Sequence, residues 1–170
     1  ADVGHLVIHL GILLHAFFDG EGDTGERRTR YRIDFDDFAA KAADPAVTVC
    51  IFCNPHNPTG RVWTEDELRR VGGICLANGL TILSDEIHCD LLRSGRTHTP
   101  LAKLFPDSDR IITCMAPSKT FNIAGLQFSS VIIPDDALRE IWNKTHDDGE
   151  NPLSLTAAQA AYSDGGYAWL

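Results

Sequence analysis

The sequence predicts an α/β fold on a mainly parallel sheet, and two observations predict it. First, apolar runs of strand length alternate with a helical segment over short links: Val47–Cys53, a helix around Leu68, then Leu80–Leu83. Such strand–helix–strand units cross over right-handed and leave their strands parallel. Second, three apolar runs each end in a polar signature. Val47–Cys53 runs into Asn54-Pro55-His56-Asn57-Pro58-Thr59-Gly60, and Leu80–Leu83 into Ser84-Asp85-Glu86-Ile87-His88. Arg110–Cys114 runs into Met115-Ala116-Pro117-Ser118-Lys119-Thr120-Phe121-Asn122. Ligands of open α/β sheets bind at the carboxyl ends of the strands, so an Asn, an Asp and a Lys on three such ends read as one site rim.

Taken in order, the elements support that fold. Leu6 to Phe18 is a short apolar run that periodicity cannot assign to helix or strand. Gly20 to Arg30 is rich in glycine and charge and reads as a loop. Tyr31 to Phe38 is an extended piece entering a short helix, with Asp34 as N-cap and Phe38 and Ala42 facing inward; Asp44-Pro45 ends it. Val47–Cys53 is continuously apolar apart from Thr48, the pattern of a strand covered on both faces. Thr64 and Glu67 form a capping box, and Leu68, Val71, Cys75 and Leu76 mark the buried face of the helix that Asn78-Gly79 closes. Leu80–Leu83, Arg110–Cys114 and Phe128–Ile133 are further strands. Pro134-Asp135-Asp136 starts a helix through Ala137, Leu138, Ile141 and Trp142, and Asp147 to Pro152 is a break. Thr156–Tyr162 is helical, and Tyr162, Tyr167 and Trp169 are expected to pack against something further.

Composition removes several function classes. At 170 residues, 44% hydrophobic and 23% charged, the chain is an ordinary globular one with room for a core. A net charge of −9 without any basic stripe argues against a nucleic-acid partner. No apolar stretch reaches the roughly 18 residues that span a bilayer, so no membrane partner is expected. His5–Phe18 lacks a basic flank and a small-residue cleavage site, and is not read as a signal peptide. Five cysteines, an odd number in a chain too large to need staples, point to reduced thiols and a cytoplasmic location. Cys50 and Cys53 form a CxxC, but three residues apart in a strand they face opposite ways, so a structural role is read before a redox or zinc one. His5 and His9, at i and i+4, would share a face if the segment were helical, but no carboxylate or cysteine accompanies them at ligand spacing, and no metal site is assigned.

The chemistry lies at the strand ends. A lysine there that is partly buried can lose its proton, because desolvation disfavours the ammonium, and its amine then condenses with an aldehyde. An aspartate opposite would keep a pyridine nitrogen protonated and make the ring an electron sink. An asparagine amide can donate to a phenolate oxygen. Lys119, Asp85 and Asn57 together meet the demands of pyridoxal phosphate. Each signature alone has a plainer reading as an exposed loop, a helix cap or a turn. Their order, each closing an apolar run, favours the site.

On these motifs the chain resembles fold-type I pyridoxal-phosphate enzymes of the class I/II aminotransferase family. Arg61-Val62-Trp63, Asp85-Glu86-Ile87-His88, His98-Thr99-Pro100 and Ala116 to Leu126 resemble its cystathionine β-lyase (C–S lyase) branch. The resemblance is good from about Tyr31 onward and poor before Arg30. It implies a three-layer αβα large domain, incomplete here: residues 1–30 an uncertain N-terminal segment, 31–170 a partial cofactor-binding domain, and the C-terminal small domain absent. It implies Lys119 as the catalytic residue, forming the Schiff base and moving the substrate α-proton. Asp85 pairs with the pyridine nitrogen and Asn57 with the ring O3′. His88 stands where the family often has a tyrosine facing that oxygen, and Ser118 reaches the phosphate. The chain departs from the pattern at Ala116, where a serine is usual, and at Gln127, where many members carry a phosphate-binding arginine. The implied activity is C–S β-lysis of an amino acid, giving thiol, pyruvate and ammonia. An aminotransferase is the alternative, and a non-catalytic fragment or regulatory domain the alternative of another class. An amino-acid substrate and a homodimer of the full-length enzyme follow by the same resemblance.

Overall fold

The computed structural model describes residues 14–19, 28–146, 149, 151–163 and 165–170. His5, His9, the start of the Leu6–Phe18 run and three residues of the Asp147–Pro152 break lie outside them. Leu14–Asp19 (β1) and Arg28–Ile33 (β2) pair antiparallel, Leu14 opposite Ile33. The ambiguous apolar run therefore ends as a strand, and the expected loop becomes extended at Arg28, two residues before its anticipated end at Arg30.

Asp34 then starts Phe35–Ala42 (α1), its Oδ1 accepting from the amides of Asp36 and Asp37 at 3.1 and 3.0 Å. Phe38 and Ala42 are buried, as their helical spacing requires. Val49–Cys53 (β3) leads to Glu65–Ala77 (α2), opened by the expected capping box: Glu67 N donates to Thr64 Oγ1 at 3.3 Å, and Thr64 N donates to Glu67 Oε2 at 2.8 Å. Asn78 caps α2 and Gly79 turns with φ +71°, a left-handed conformation that glycine adopts without strain. Thr81–Asp85 (β4), Leu101–Leu104 (α3), Ile111–Met115 (β5) and Pro117–Thr120 (α4) follow. Beyond a 3-10 turn at Ala124–Leu126 come Ser130–Ile132 (β6), Asp136–Thr145 (α5), Pro152–Ser163 (α6) and Gly166–Trp169 (α7).

The main sheet has the order β3-β4-β5-β6. β3, β4 and β5 are parallel and β6 is antiparallel, so the sheet is mixed with a parallel majority, flanked by helices. Its buried side carries Cys50, Phe52, Ile82 and Ile111 against Phe38, Leu68, Val71, Cys75 and Leu101. The other side, with Ile51, Leu83 and Ile112, is half-buried. The continuous apolar runs thus correspond to one buried and one half-covered face rather than two equally covered ones. Burial alternates along β3 and β4 because side chains alternate across the sheet.

The C-terminal elements pack more lightly. No α5 residue is buried, and Ile141 is 58% exposed. Tyr162 and Tyr167 meet the ring of Phe121 edge-on at 5.7 and 5.5 Å, while Trp169 remains exposed. Among the described residues no helix is long and apolar enough to cross a membrane, and no cluster of three metal-ligating side chains occurs. All five cysteines are free thiols.

Candidate active site

Parallel pairing sets three strand ends side by side. Cys53 at the end of β3 pairs with Asp85 at the end of β4, and Asp85 pairs with Cys114 on β5. Paired positions in a parallel sheet share a face, so Asp85 sits between two thiols on the half-covered side. Its Oδ1 accepts from Ile87 N at 3.2 Å. Burial raises the Cys53 thiol above its ordinary range, opposed by a backbone hydrogen bond at Asn57 and reinforced by the Asp85 charge. Cys114 rises for the same first cause, with Asp85 and Glu86 adding. Both thiols are therefore neutral neighbours of the aspartate.

The segment after β3 is a tight loop. His56 N donates to Arg61 O and Gly60 N to His56 O, both at 2.7 Å, and Gly60 takes φ +68°. Buried Asn54 anchors the loop, its Oδ1 accepting from Trp63 N at 3.2 Å, while Trp63 Nε1 donates to Cys53 O at 3.0 Å. The guanidinium of Arg61 stacks over Trp63 at 4.6 Å and pairs with Glu67. The loop presents Asn57, exposed, at a shallow pocket of about 170 Å³ that His56, His88 and Leu91 also line. Nε2 of His88 is buried without a hydrogen-bond partner. His56 Nδ1 lies 2.8 Å from Thr59 Oγ1, and burial lowers the pKa of the ring.

Lys119 lies on α4, one residue beyond β5, and is exposed; Ser118 before it is half-buried. The structure thus joins Asn57 to His88 in one pocket and seats Asp85 at the neighbouring strand end. It places Lys119 and Ser118 on a separate helix outside that pocket's lining, and the described residues do not bury the lysine. Gln127 closes the 3-10 turn with φ +51°.

Two further groups tie the site together, and sequence reasoning assigned them no role. Glu86 is 1% exposed. Its Oε1 accepts from Ser84 Oγ at 2.9 Å and Leu101 N at 3.0 Å, and its Oε2 faces His98 Nε2 at 2.6 Å. A buried carboxylate must have partners; that requirement is the signal that flags Glu86, and although His98-Thr99-Pro100 stood among the motifs, no spacing pairs His98 with a carboxylate twelve positions back. The second group is Asp90, whose Oδ2 accepts from Thr120 Oγ1 at 2.9 Å, with Tyr167 OH 3.4 Å away. Burial, then the charges of Asp90 and Glu86, lift the Cys89 thiol to about 11.

Residues 24–164 match the family described as aminotransferase class I and II. The chain is 49% identical over 150 residues to cystathionine beta-lyase PatB of Bacillus subtilis, covering 85% of this chain and 38% of that protein. A PLP-bound C-S lyase from Staphylococcus hominis superposes with a TM-score of 0.79 at 54% identity, covering 82% of this chain and 36% of the other. Aspartate aminotransferase of Geobacillus stearothermophilus is 32% identical over 126 residues, 72% of this chain and 32% of its own length. The chain spans well under half the length of each.

Proposed function

The chain belongs to the aminotransferase class I and II family, and on that premise we propose that the whole enzyme is a pyridoxal-phosphate-dependent C–S β-lyase acting on cystathionine-type amino acids. The observation that carries the proposal is the pocket that Asn57 and His88 line at the ends of β3 and β4, with His88 Nε2 buried and unpartnered. An orphaned buried polar atom costs about 1–3 kcal/mol, and a ring oxygen placed there would relieve it. Asp85, at the next strand end and on the open face, has the charge a pyridinium needs. On these grounds the residues present fit the cofactor.

When bound, pyridoxal phosphate supplies an electron sink that acidifies the α-proton of an amino acid. Asp85 would hold the proton on the pyridine nitrogen. The Asn57 amide would donate to the phenolic oxygen, with His88 facing the same atom. Lys119 would hold the cofactor through its Nζ and move the proton at the substrate Cα. Ser118 would meet the phosphate. Gln127 cannot supply an arginine's charge, so part of the phosphate grip falls to other residues. For the lyase, cleavage of the Cβ–S bond would release the sulfur as thiol, and water would hydrolyse the remaining three-carbon amino acid to pyruvate and ammonia.

The Geobacillus relative supports an aminotransferase as the second reading, since both reactions begin with the same α-proton. Products separate them: thiol and pyruvate from L-cystathionine without an added keto acid mark the lyase, and amino transfer with sulfur retained marks the transaminase. We further assign residues 31–170 to a cofactor-binding large domain, the protein to the cytoplasm, and the full-length enzyme to homodimers.

The first test is the visible absorbance of the chain with added pyridoxal phosphate, beside Lys119→Ala, followed by borohydride reduction and mass mapping. A band lost in the variant, with the reduced adduct on Lys119, is the expected result. An adduct on Lys41, Lys103 or Lys144 instead would remove Lys119 from the role.

A further inference from the structure

We propose that Thr120 and Asp90 are positioning residues whose hydrogen bond fixes the orientation of Lys119. The inference rests on the reading of Lys119 given above, and starts from how little else holds its helix. α4 has only four residues, and no side chain caps it. Its backbone closure amounts to Phe121 N donating to Pro117 O at 2.9 Å and Ile123 N donating to Ser118 O at 3.1 Å. A single turn is close to the costly nucleus of helix formation and does not persist by itself, so tertiary ties must orient it. Buried Pro117 and Phe121 give apolar hold, but apolar contact is non-directional.

Thr120 gives the directional tie. It follows Lys119 directly and is 4% exposed, so its hydroxyl points inward while the lysine is exposed. Adjacent helical residues diverge by about 100°, the angle set by 3.6 residues per turn. A turn of α4 that released Thr120 would therefore swing Lys119 with it. The hydroxyl donates to Asp90 Oδ2 at 2.9 Å across thirty positions of sequence rather than to a carbonyl of its own turn. Asp90 stands two residues after His88, on the segment that begins at Asp85. One charge-assisted hydrogen bond thus couples the lysine's helix to the turn that carries the aspartate and the histidine. Tyr167, whose ring packs on Phe121, places its hydroxyl 3.4 Å from the same carboxylate oxygen.

The test compares the chain with Thr120→Val, which keeps the shape and removes the hydroxyl, and Thr120→Ser, which keeps the hydroxyl. The first readout needs no cofactor: amide hydrogen exchange at Phe121 and Ile123. Thr120→Val is expected to speed both by about tenfold, the factor equivalent to roughly 1.4 kcal/mol, while α2 amides stay unchanged and Thr120→Ser exchanges like the parent chain. The second readout is the concentration of pyridoxal phosphate that half-labels Lys119 after borohydride reduction. It is expected to rise about tenfold in Thr120→Val, in step with the exchange, and to return in Thr120→Ser. Unchanged exchange in Thr120→Val, or a serine variant behaving like valine, overturns the tie. Faster exchange with unaltered labelling of Lys119 reduces the bond to a structural one and overturns the positioning role. A parent chain that takes no label at Lys119 overturns the cofactor role of Lys119 in this chain and with it the positioning role, and exchange alone then decides whether Asp90 orders α4.

Discussion

Replacing Glu86 by alanine is expected to cost the fold about 3 kcal/mol or more, because several buried hydrogen-bonding groups lose their acceptor at once. Glu86 is 1% exposed and serves three donors: Ser84 Oγ, Leu101 N and the His98 ring. Truncation strands all three, and each stranded buried group costs about 1–3 kcal/mol where no water enters. His98 bears the loss worst, because its Nδ1 is already buried without a partner. Leu101 is fully buried and opens α3, so freeing its amide also loosens the apolar anchor of the crossover to β5. Glu86→Gln keeps an acceptor for Leu101 N and should lose roughly half as much, the charge-assisted share of the contacts. Urea unfolding gives the measurement, read as a shift in midpoint at constant slope. A double-mutant cycle with His98→Ala should return a coupling of about 1–3 kcal/mol, as for residues in one network. A loss below about 1 kcal/mol for Glu86→Ala, the centre of the range for all point substitutions, or no coupling to His98, would refute this account of the buried carboxylate.

Stability should fall as the pH drops below 6.5, the ordinary value for histidine, because burial lowers the His56 pKa and the unfolded chain then binds the proton more readily. Urea midpoints measured from pH 7.5 down to about 5.5 should show a slope that His56→Asn weakens. Cys89 should react with iodoacetamide at pH 8 about a hundredfold more slowly than an ordinary thiol, since its thiolate is scarce, and Asp90→Asn should speed the reaction, as mass spectrometry of timed samples would report. Gly72→Ala should destabilise by about 1–3 kcal/mol, because an added Cβ would meet the Phe105 ring 2.3 Å away; chemical denaturation with Gly73→Ala, which meets nothing, is the control.

Local rules made much of this fold legible. Asp34, Thr64 with Glu67, and Asn78-Gly79 act at the termini where caps act, because a cap needs only residues within a turn of the helix end. Strand identity came through for β3, β4 and β5, although the continuous apolar pattern of Val47–Cys53 overstated the cover of β3: an apolar side chain reads the same in sequence whether fully or half buried. The candidate site was legible as strand ends, since Asn57, Asp85 and Lys119 each follow an apolar run. Its internal wiring was not. The Glu86–His98 and Thr120–Asp90 contacts join residues twelve and thirty positions apart through folded loops, and no periodicity encodes such a closure. Lys119 illustrates the same boundary: a loop lysine among small residues can be buried or exposed, and only the packed elements around it decide.

Asp85 and Glu86, adjacent carboxylates, receive opposite treatment, and the strand explains why both are needed. Successive side chains leave a strand on opposite faces. Asp85 goes to the half-covered face, beside Cys53 and Cys114, with its Oδ1 accepting from Ile87 N. Glu86 goes to the side of buried Ser84 and is consumed by protein donors. If the register slipped by one residue, the free charge would enter the core and the partnered one would face the pocket. Both assignments are held by the pairing of Asp85 with Cys53 and Cys114, and by Leu101 and His98 gripping Glu86 from the far side. An aspartate available for chemistry at a strand end is thus secured by its neighbour's full set of hydrogen bonds. Asp85→Glu combined with Glu86→Asp would therefore keep the charge count and damage both roles, with unfolding reporting the buried loss and cofactor capture the exposed one.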